Sequence, residues 1–268
     1  MPELPEVETI ARDLAPNVTG RRILRVTYDR EPPVFDSASL APKLLIGRTI
    51  RGVGRAGKFV LFDLGCDLKL AVHLRMTGSL LVRRDSAPVP RTRAVLALSG
   101  GRSVVFADVR KFGRMRIFRG DPYRALKLGI EPFAKELDER SLSDLLRGRK
   151  TKIKTWLLDQ RRIAGVGNIY ACESLYLAGI RPTARVGNLS AQQRTALLIS
   201  MRRVLQKAIR HRGSSVDDYV DAEGKEGEFQ KQLGVYGRAG MSCRRCGTPI
   251  RRIVLAQRGT FYCPVCQR

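Results

Sequence analysis

TWLLDQRRIAGVGNIYACESLYLAGIRP, residues 155–182, places a helical pattern, a loop with two glycines one residue apart and a second helical pattern in succession. Gly165 and Gly167 carry no Cβ, so the backbone between the helices can come close to a phosphate, with the first amides of the second helix facing it. Asn168 adds a neutral side-chain donor at that helix start. A hairpin of this kind grips a nucleic-acid backbone and reads no base. An ordinary helix–loop–helix carries the same GVG signature, so the decision rests on what surrounds it.

Toward the C-terminus, SAQQRTALLISMRRVLQKAIRHRG sets Leu197, Leu198, Met201, Val204, Leu205, Ala208 and Ile209 on one broad face and basic residues on the other. That is a packed helix and not a membrane anchor. A polar, glycine-bearing loop, SSVDDYVDAEGKEGE, follows, and its glycines predict mobility. Residues 238–268 then hold seven arginines and no acidic residue. Within them CRRC and CPVC give the spacing C-x2-C-x16-C-x2-C, from Cys243, Cys246, Cys263 and Cys266. Four thiolates on a tetrahedral site indicate one structural zinc. Spacing alone leaves an iron–sulfur site open, and a paired-disulfide scaffold conflicts with an intracellular chain. The segment has too little apolar matter to fold unaided, so the metal would supply much of its stability. RRIVLAQRGTFY between the pairs has room for two short strands with a reversal at 257–259, which puts Arg258 at the ribbon tip. Cys66 and Cys172 stand alone among apolar neighbours and read as buried free thiols.

Toward the N-terminus the pattern changes. Between Ile23 and about Phe118, short apolar runs broken by glycine (KFVLFDL, LKLAVHLRMTGSLLV, RAVLALSG, RSVVFADV) read as antiparallel strands of a sandwich or flattened barrel. RRDSAPVPRTR, with two prolines and four arginines, is a loop or a distorted edge. Leu4, Val7, Ile10, Ala11 and Leu14 recur at helical spacing, so a first helix begins within PELPE, where Pro5 costs no intrahelical bond. Composition shifts after GIEPF at 129–133. The expected fold is α+β in two domains: an antiparallel β-sandwich with an N-terminal helix over 1–130, and a helical domain over 131–230, with a four-cysteine ribbon over 231–268.

The 268 residues include 50 Lys and Arg against 25 Asp and Glu, a net charge of +25. A field that positive draws polyanions, nucleic acid first and an anionic membrane surface second. No apolar run reaches spanning length, and the acidic N-terminus is unlike a signal peptide, so an intracellular, reducing location is expected, with no membrane partner.

PELPEVET at 2–9, GRAGKF at 54–59, HLRMTG at 73–78, DVRKFG at 108–113, LLDQRRIAGVGNIY at 157–170 and the terminal cysteine pairs, in this order along nearly the whole chain, resemble the formamidopyrimidine-DNA glycosylases, helix–two-turn–helix repair enzymes of bacteria. The resemblance implies a β-sandwich, a helical domain and a zinc ribbon, with DNA held in the cleft between domains. It implies a bifunctional DNA glycosylase and abasic-site lyase acting as a monomer on double-stranded DNA that contains oxidised purines or abasic sites, in the bacterial cytoplasm at the nucleoid.

It further implies that Pro2, freed by loss of Met1, is the nucleophile and that Glu3 passes protons beside it; taken alone, Glu3 and Glu6 read as first-turn acids on a helix dipole. Glu6 is implied in support and in the electrostatics of the DNA pocket. By the same resemblance Lys58 is expected to engage phosphate and the lesion region, and His73, Asn168 and Arg258 to contact phosphates. Met76, Arg110 and Phe112 match the family's trio, which implies that they fill the space left by an extruded base: Met76 would occupy it, Phe112 wedge between bases, and Arg110 donate to the orphaned cytosine. Two readings compete. Endonuclease VIII-type relatives act on oxidised pyrimidines, but usually begin PEGPE and lack this trio. A noncatalytic zinc-ribbon DNA-binding protein would not need Pro2 and Glu3.

Overall fold

The computed structural model describes residues 1–84, 89–216 and 218–268. They form two compact units, Met1–Leu126 with Ile209–Gln230, and Lys127–Ala208 with Lys231–Arg268.

The first unit opens with helix α1 (Leu4–Val18), whose Leu4, Val7, Ile10, Ala11, Leu14 and Val18 are buried. Pro5 sits in its first turn, where a missing amide proton leaves no broken bond. Among the described residues eight strands follow: β1 (Ile23–Tyr28), β2 (Gly52–Ala56), β3 (Phe59–Asp63), β4 (Leu68–His73), β5 (Gly78–Arg83), β6 (Thr92–Leu98), β7 (Arg102–Asp108) and β8 (Arg114–Arg119), then a helical turn, α2 (Pro122–Ala125). They make two four-stranded antiparallel sheets, ordered β1-β6-β7-β5 and β2-β3-β4-β8. Val60, Phe62, Leu70, Val72 and Ile117 from one sheet and Leu80, Leu96, Val104 and Phe106 from the other share a single core with α1. This is the expected β-sandwich. Of the arginine-rich stretch 83–93, residues 85–88 lie outside the described residues. Arg93 belongs to β6 and is buried, donating to Asp29 Oδ2 at 2.9 Å and to the Pro32 carbonyl at 2.6 Å.

Residues 209–230 complete this unit. Tyr219 and Ala222 join its core, and the Tyr219 hydroxyl donates to the Arg212 carbonyl at 3.1 Å. The buried Asp221 accepts the amides of Glu223 and Lys225, each at 2.9 Å, and Arg212 Nη2 at 2.6 Å. Burial works against its ionisation, but those donors hold the carboxyl below its ordinary range. Asp217 lies outside the described residues; Asp218 is exposed. Cys66 corrects the expectation of a buried thiol. It is exposed, because Cys66 and Asp67 turn the chain between β3 and β4 at φ 48° and 62°.

The second unit holds α3 (Glu139–Leu146), α4 (Ile153–Leu157), α5 (Asn168–Leu177) and α6 (Ala191–Arg210, in this unit through Ala208). Helix α5 buries every residue from Ile169 to Tyr176, which explains a sequence with no polar face. Helix α6 buries Leu197, Leu198, Met201, Val204, Leu205 and Ala208, the broad face read from its spacing except for Ile209, which is half-buried. The chain ends in a two-stranded ribbon, β9 (Arg251–Leu255) and β10 (Arg258–Tyr262). Ala256 and Gln257 make its turn at φ 48° and 59°, so the reversal falls earlier than expected and Arg258 opens β10 opposite Leu255. A turn with two positive φ values ordinarily carries Asn-Gly, and Ala-Gln gives no such signal.

Candidate active site and nucleic-acid interface

At the head of α1, Pro2, Glu3 and Glu6 are buried. Glu6 Oε2 accepts the Glu3 amide at 2.8 Å, the return half of a capping box. Its other oxygen accepts the Ser214 amide at 2.8 Å, so one carboxylate ties the PELPE segment to residues 213–214. Gly213, at φ 81°, is required there, since a Cβ would lie 2.7 Å from Glu6 Oε1.

Lys58 and His73 lie on neighbouring elements. The hairpin from β2 to β3 turns on Gly57, at φ 56°, and Lys58, which is buried. Phe59 pairs with His73 across β3 and β4, and the rings meet edge to face with centroids 4.7 Å apart. His73 Nδ1 accepts the Arg75 amide at 3.0 Å, which leaves the ring proton on Nε2. Burial first, then the positive charges of Arg75 and Lys58, push the imidazole pKa down to about 3. His73 is therefore a neutral Nε2–H donor.

The wedge candidates stand on two turns of the same unit. Met76 is half-buried between β4 and β5, following Arg75 at φ 58°. Between β7 and β8, Arg110 and Phe112 are exposed and flank Lys111 at φ 57°. Phe112 is 50% exposed, a fraction that a core phenylalanine would not show. The Arg110 guanidinium stacks on its ring at 4.9 Å.

In the second unit, the loop between α4 and α5 is braced from within. Gln160 accepts the Gly165 amide at 2.8 Å and donates to the Val166 carbonyl at 2.7 Å, with Gly165 at φ 91°. Gly167 precedes α5 as its N-cap, and Asn168 is the first helical residue. Asn168 Nδ2 donates to the Gly259 carbonyl of the ribbon at 3.1 Å, and its Oδ1 accepts Lys154 Nζ at 2.6 Å. Lys154 is fully buried and also donates to Thr260 Oγ1 at 2.7 Å. The helix–turn element is thus fastened to the ribbon strand that begins at the exposed Arg258.

The four cysteines converge. Their Sγ atoms lie within 4.8 Å of one another, with Cys243 to Cys266 at 3.9 Å and Cys246 to Cys263 at 3.5 Å, and none is in a disulfide. Zinc–thiolate bonds of about 2.3 Å place tetrahedral sulfurs about 3.8 Å apart, so the geometry fits one zinc. Burial raises the Cys243 thiol, but the Tyr176 hydroxyl at 3.2 Å and the amides of Arg245 and Cys246 prevail and lower it, whereas burial and the neighbouring sulfurs raise Cys263 and Cys266. Glu173, buried on α5, accepts the amides of Gly234, Val235 and Tyr236 at 2.8, 3.0 and 2.8 Å and so fixes the strand of chain that leads into the ribbon. Sequence reasoning missed Lys154, Gln160, Glu173 and Tyr176. For Glu173 the available signal was a charged residue inside the otherwise apolar α5, whereas nothing local marked Lys154 or Gln160.

Comparison with known proteins agrees with this arrangement part by part. Residues 1–115 match the formamidopyrimidine-DNA glycosylase N-terminal domain, 128–220 its H2TH domain, and 242–268 the zinc finger found in FPG and IleRS. The formamidopyrimidine-DNA glycosylase of Chloroflexus aggregans is 45% identical over 100% of this chain and 98% of its own. That of Herpetosiphon aurantiacus is 44% identical over the full length of both. A Lactococcus lactis Fpg mutant, solved with DNA containing Fapy-dG, has a TM-score of 0.89 at 38% identity over 100% of both chains. The MutM (Fpg) protein of Thermus thermophilus has a TM-score of 0.89 at 39% identity, over 99% of this chain and 98% of that one. With a sandwich headed by PELPE, a braced helix–turn element and a four-thiolate ribbon each matched in turn, the chain belongs to the formamidopyrimidine-DNA glycosylase family.

Proposed function

We propose that this protein is a bifunctional DNA glycosylase and abasic-site lyase of base excision repair, acting as a monomer on 8-oxoguanine and formamidopyrimidines in double-stranded DNA, in the bacterial cytoplasm at the nucleoid. The observation that carries the reading is the head of α1, where Pro2 and Glu3 are buried together and the Glu6 carboxylate fixes the Glu3 amide. A buried proline followed by a buried acid serves chemistry better than it serves a helix start.

Once Met1 is removed, the Pro2 nitrogen is a secondary amine. The start of α1 favours its neutral, nucleophilic form, and the Glu3 carboxylate opposes it. The nitrogen attacks C1′ of the damaged nucleotide, and the bond from C1′ to the base breaks, with the base leaving protonated. Glu3 takes the proton lost by the attacking nitrogen and passes it to O4′ as the sugar ring opens, and the freed nitrogen lone pair forms the iminium. The iminium acidifies C2′; loss of that proton expels the 3′ phosphate, and a second elimination expels the 5′ phosphate. Lys58 and His73 engage phosphate, the latter as a neutral Nε2–H donor. Asn168 and Arg258 brace the distorted backbone. Met76 fills the vacated stack, Phe112 wedges and Arg110 satisfies the orphaned cytosine. Glu6 acts through Glu3 and Ser214. Zinc on Cys243, Cys246, Cys263 and Cys266 holds the ribbon that presents Arg258.

A panel of duplexes decides the lesion class, because a Lactococcus lactis relative has also been solved with DNA containing an oxidised pyrimidine. Single-turnover excision is expected to be fastest for ring-opened purines and 8-oxoguanine opposite cytosine. Preference for oxidised pyrimidines would move the protein to the endonuclease VIII type. Binding without excision of any lesion would make it a noncatalytic damage-binding protein.

A further inference from the structure

Two separate turns carry the wedge residues, and both close on one buried carboxylate. Asp108 is 1% exposed at the end of β7. Its Oδ1 accepts the Thr77 hydroxyl at 2.5 Å and the Arg110 amide at 3.2 Å, and its Oδ2 accepts the Gly113 amide at 2.7 Å. The Arg110 amide also lies 3.2 Å from Thr77 Oγ1, so the Met76 turn and the Arg110–Phe112 turn are joined directly. Neither turn has slack. A Cβ at Gly113 would lie 2.3 Å from Phe106 Cζ and 3.2 Å from Asp108 Oδ2, and one at Gly78 would lie 2.3 Å from the Leu74 carbonyl. Arg75 and Lys111 hold left-handed backbone at φ 58° and 57°, which side-chain-bearing residues adopt only when neighbours enforce it.

We propose that Asp108 is a positioning residue for lesion opening, which fixes Met76, Arg110 and Phe112 as one preformed wedge. This rests on the wedge assignment under the proposed function. Bonds to an ionised acceptor are the strong ones, and a wedge ordered beforehand spares the complex the entropy of ordering it. Asn at 108 keeps the volume but turns an NH2 toward one of three donors, so at least one bond is lost.

The test uses full-length Asp108→Asn and Thr77→Val, each alone and combined with Phe112→Ala. Thr77→Val removes a single hydroxyl donor from a half-buried turn and remains informative if Asp108→Asn fails to fold. Single-turnover excision of 8-oxoguanine from duplex is compared with cleavage at a preformed abasic site, alongside thermal midpoints. Asp108→Asn is expected to slow lesion excision by about tenfold to a hundredfold and Thr77→Val by about tenfold. Abasic-site cleavage should fall less in both. Each double variant should lie within about twofold of the slower of its two single variants, because the mutations disable the same unit. Equal losses on both substrates, full additivity with Phe112→Ala, or unchanged excision would overturn the role of Asp108. If Phe112→Ala itself produces no lesion-selective loss, the wedge assignment fails and the proposal falls with it.

Discussion

Replacing Lys154 by methionine removes an ammonium group that is fully buried, while keeping a stem of similar volume. Its Nζ donates to Asn168 Oδ1 at 2.6 Å, Thr260 Oγ1 at 2.7 Å and the Gly259 carbonyl at 3.3 Å. Bonds from a charged donor contribute about 1.5–3 kcal/mol each, and the longest of the three sits at the weak end. Against them stands the dehydration of the cation, several kcal/mol that the variant no longer incurs. The acceptors left behind, in a place water does not reach freely, cost about 1–3 kcal/mol each if unmet. The balance is a destabilisation of about 2–4 kcal/mol, or a fall of about 4–15 °C in the thermal midpoint for a chain of this size. Calorimetry and urea unfolding at neutral pH measure it. Asn168 loses one of its orienting partners, keeping its bond to the Gly259 carbonyl, so affinity for undamaged duplex should fall as well. A midpoint within about 1 °C of the parent would refute the reasoning, because the lysine cluster would then contribute no more than a repacked apolar site.

Three further outcomes are expected. His73 is neutral when folded and titrates near 6.5 when unfolded, so its contribution is present above about 6.5 and is lost as pH falls toward 3, by about 1.4 kcal/mol per pH unit. Urea midpoints at pH 7 and 5 should converge in His73→Gln, and an unchanged pH slope would contradict the shift. Metal analysis should return one zinc per chain, and Cys263→Ala should abolish it and unfold the ribbon; a metal-free native protein with an intact ribbon would exclude the site. Met76→Ala and Phe112→Ala should slow excision from duplex more than cleavage at abasic sites, since a missing base already removes part of an opening cost of a few kcal/mol, and Arg110→Ala should also lose preference for cytosine opposite the lesion.

What the chain disclosed on inspection follows from the range of its interactions. The start of α1 within PELPE, the alternating strands and the buried face of α6 depend on neighbours two to four residues away, and all were readable. The four thiols were readable because spacing and chemistry coincide. Lys154 was not, since a lysine between Ile153 and Thr155 reads as solvated and its partner Thr260 lies 106 residues on. Asp108 reads as the first residue of a loop motif until Thr77, 31 residues back, is brought to it. Residues 209–230 join the sandwich unit through Tyr219, Ala222 and the link from Ser214 to Glu6, contacts between segments about two hundred residues apart in the chain that no local pattern encodes.

Borohydride trapping on 8-oxoguanine duplex, followed by peptide mapping, tests the central claim most directly. Reduction of the iminium should leave DNA covalently attached to the peptide that begins PELPEVETI, on the nitrogen of Pro2. A form that retains Met1 or carries a blocked terminus should give no adduct and neither excise nor cleave, while still binding duplex. An adduct on Lys58 or another lysine, or full activity with the terminus blocked, would contradict the account.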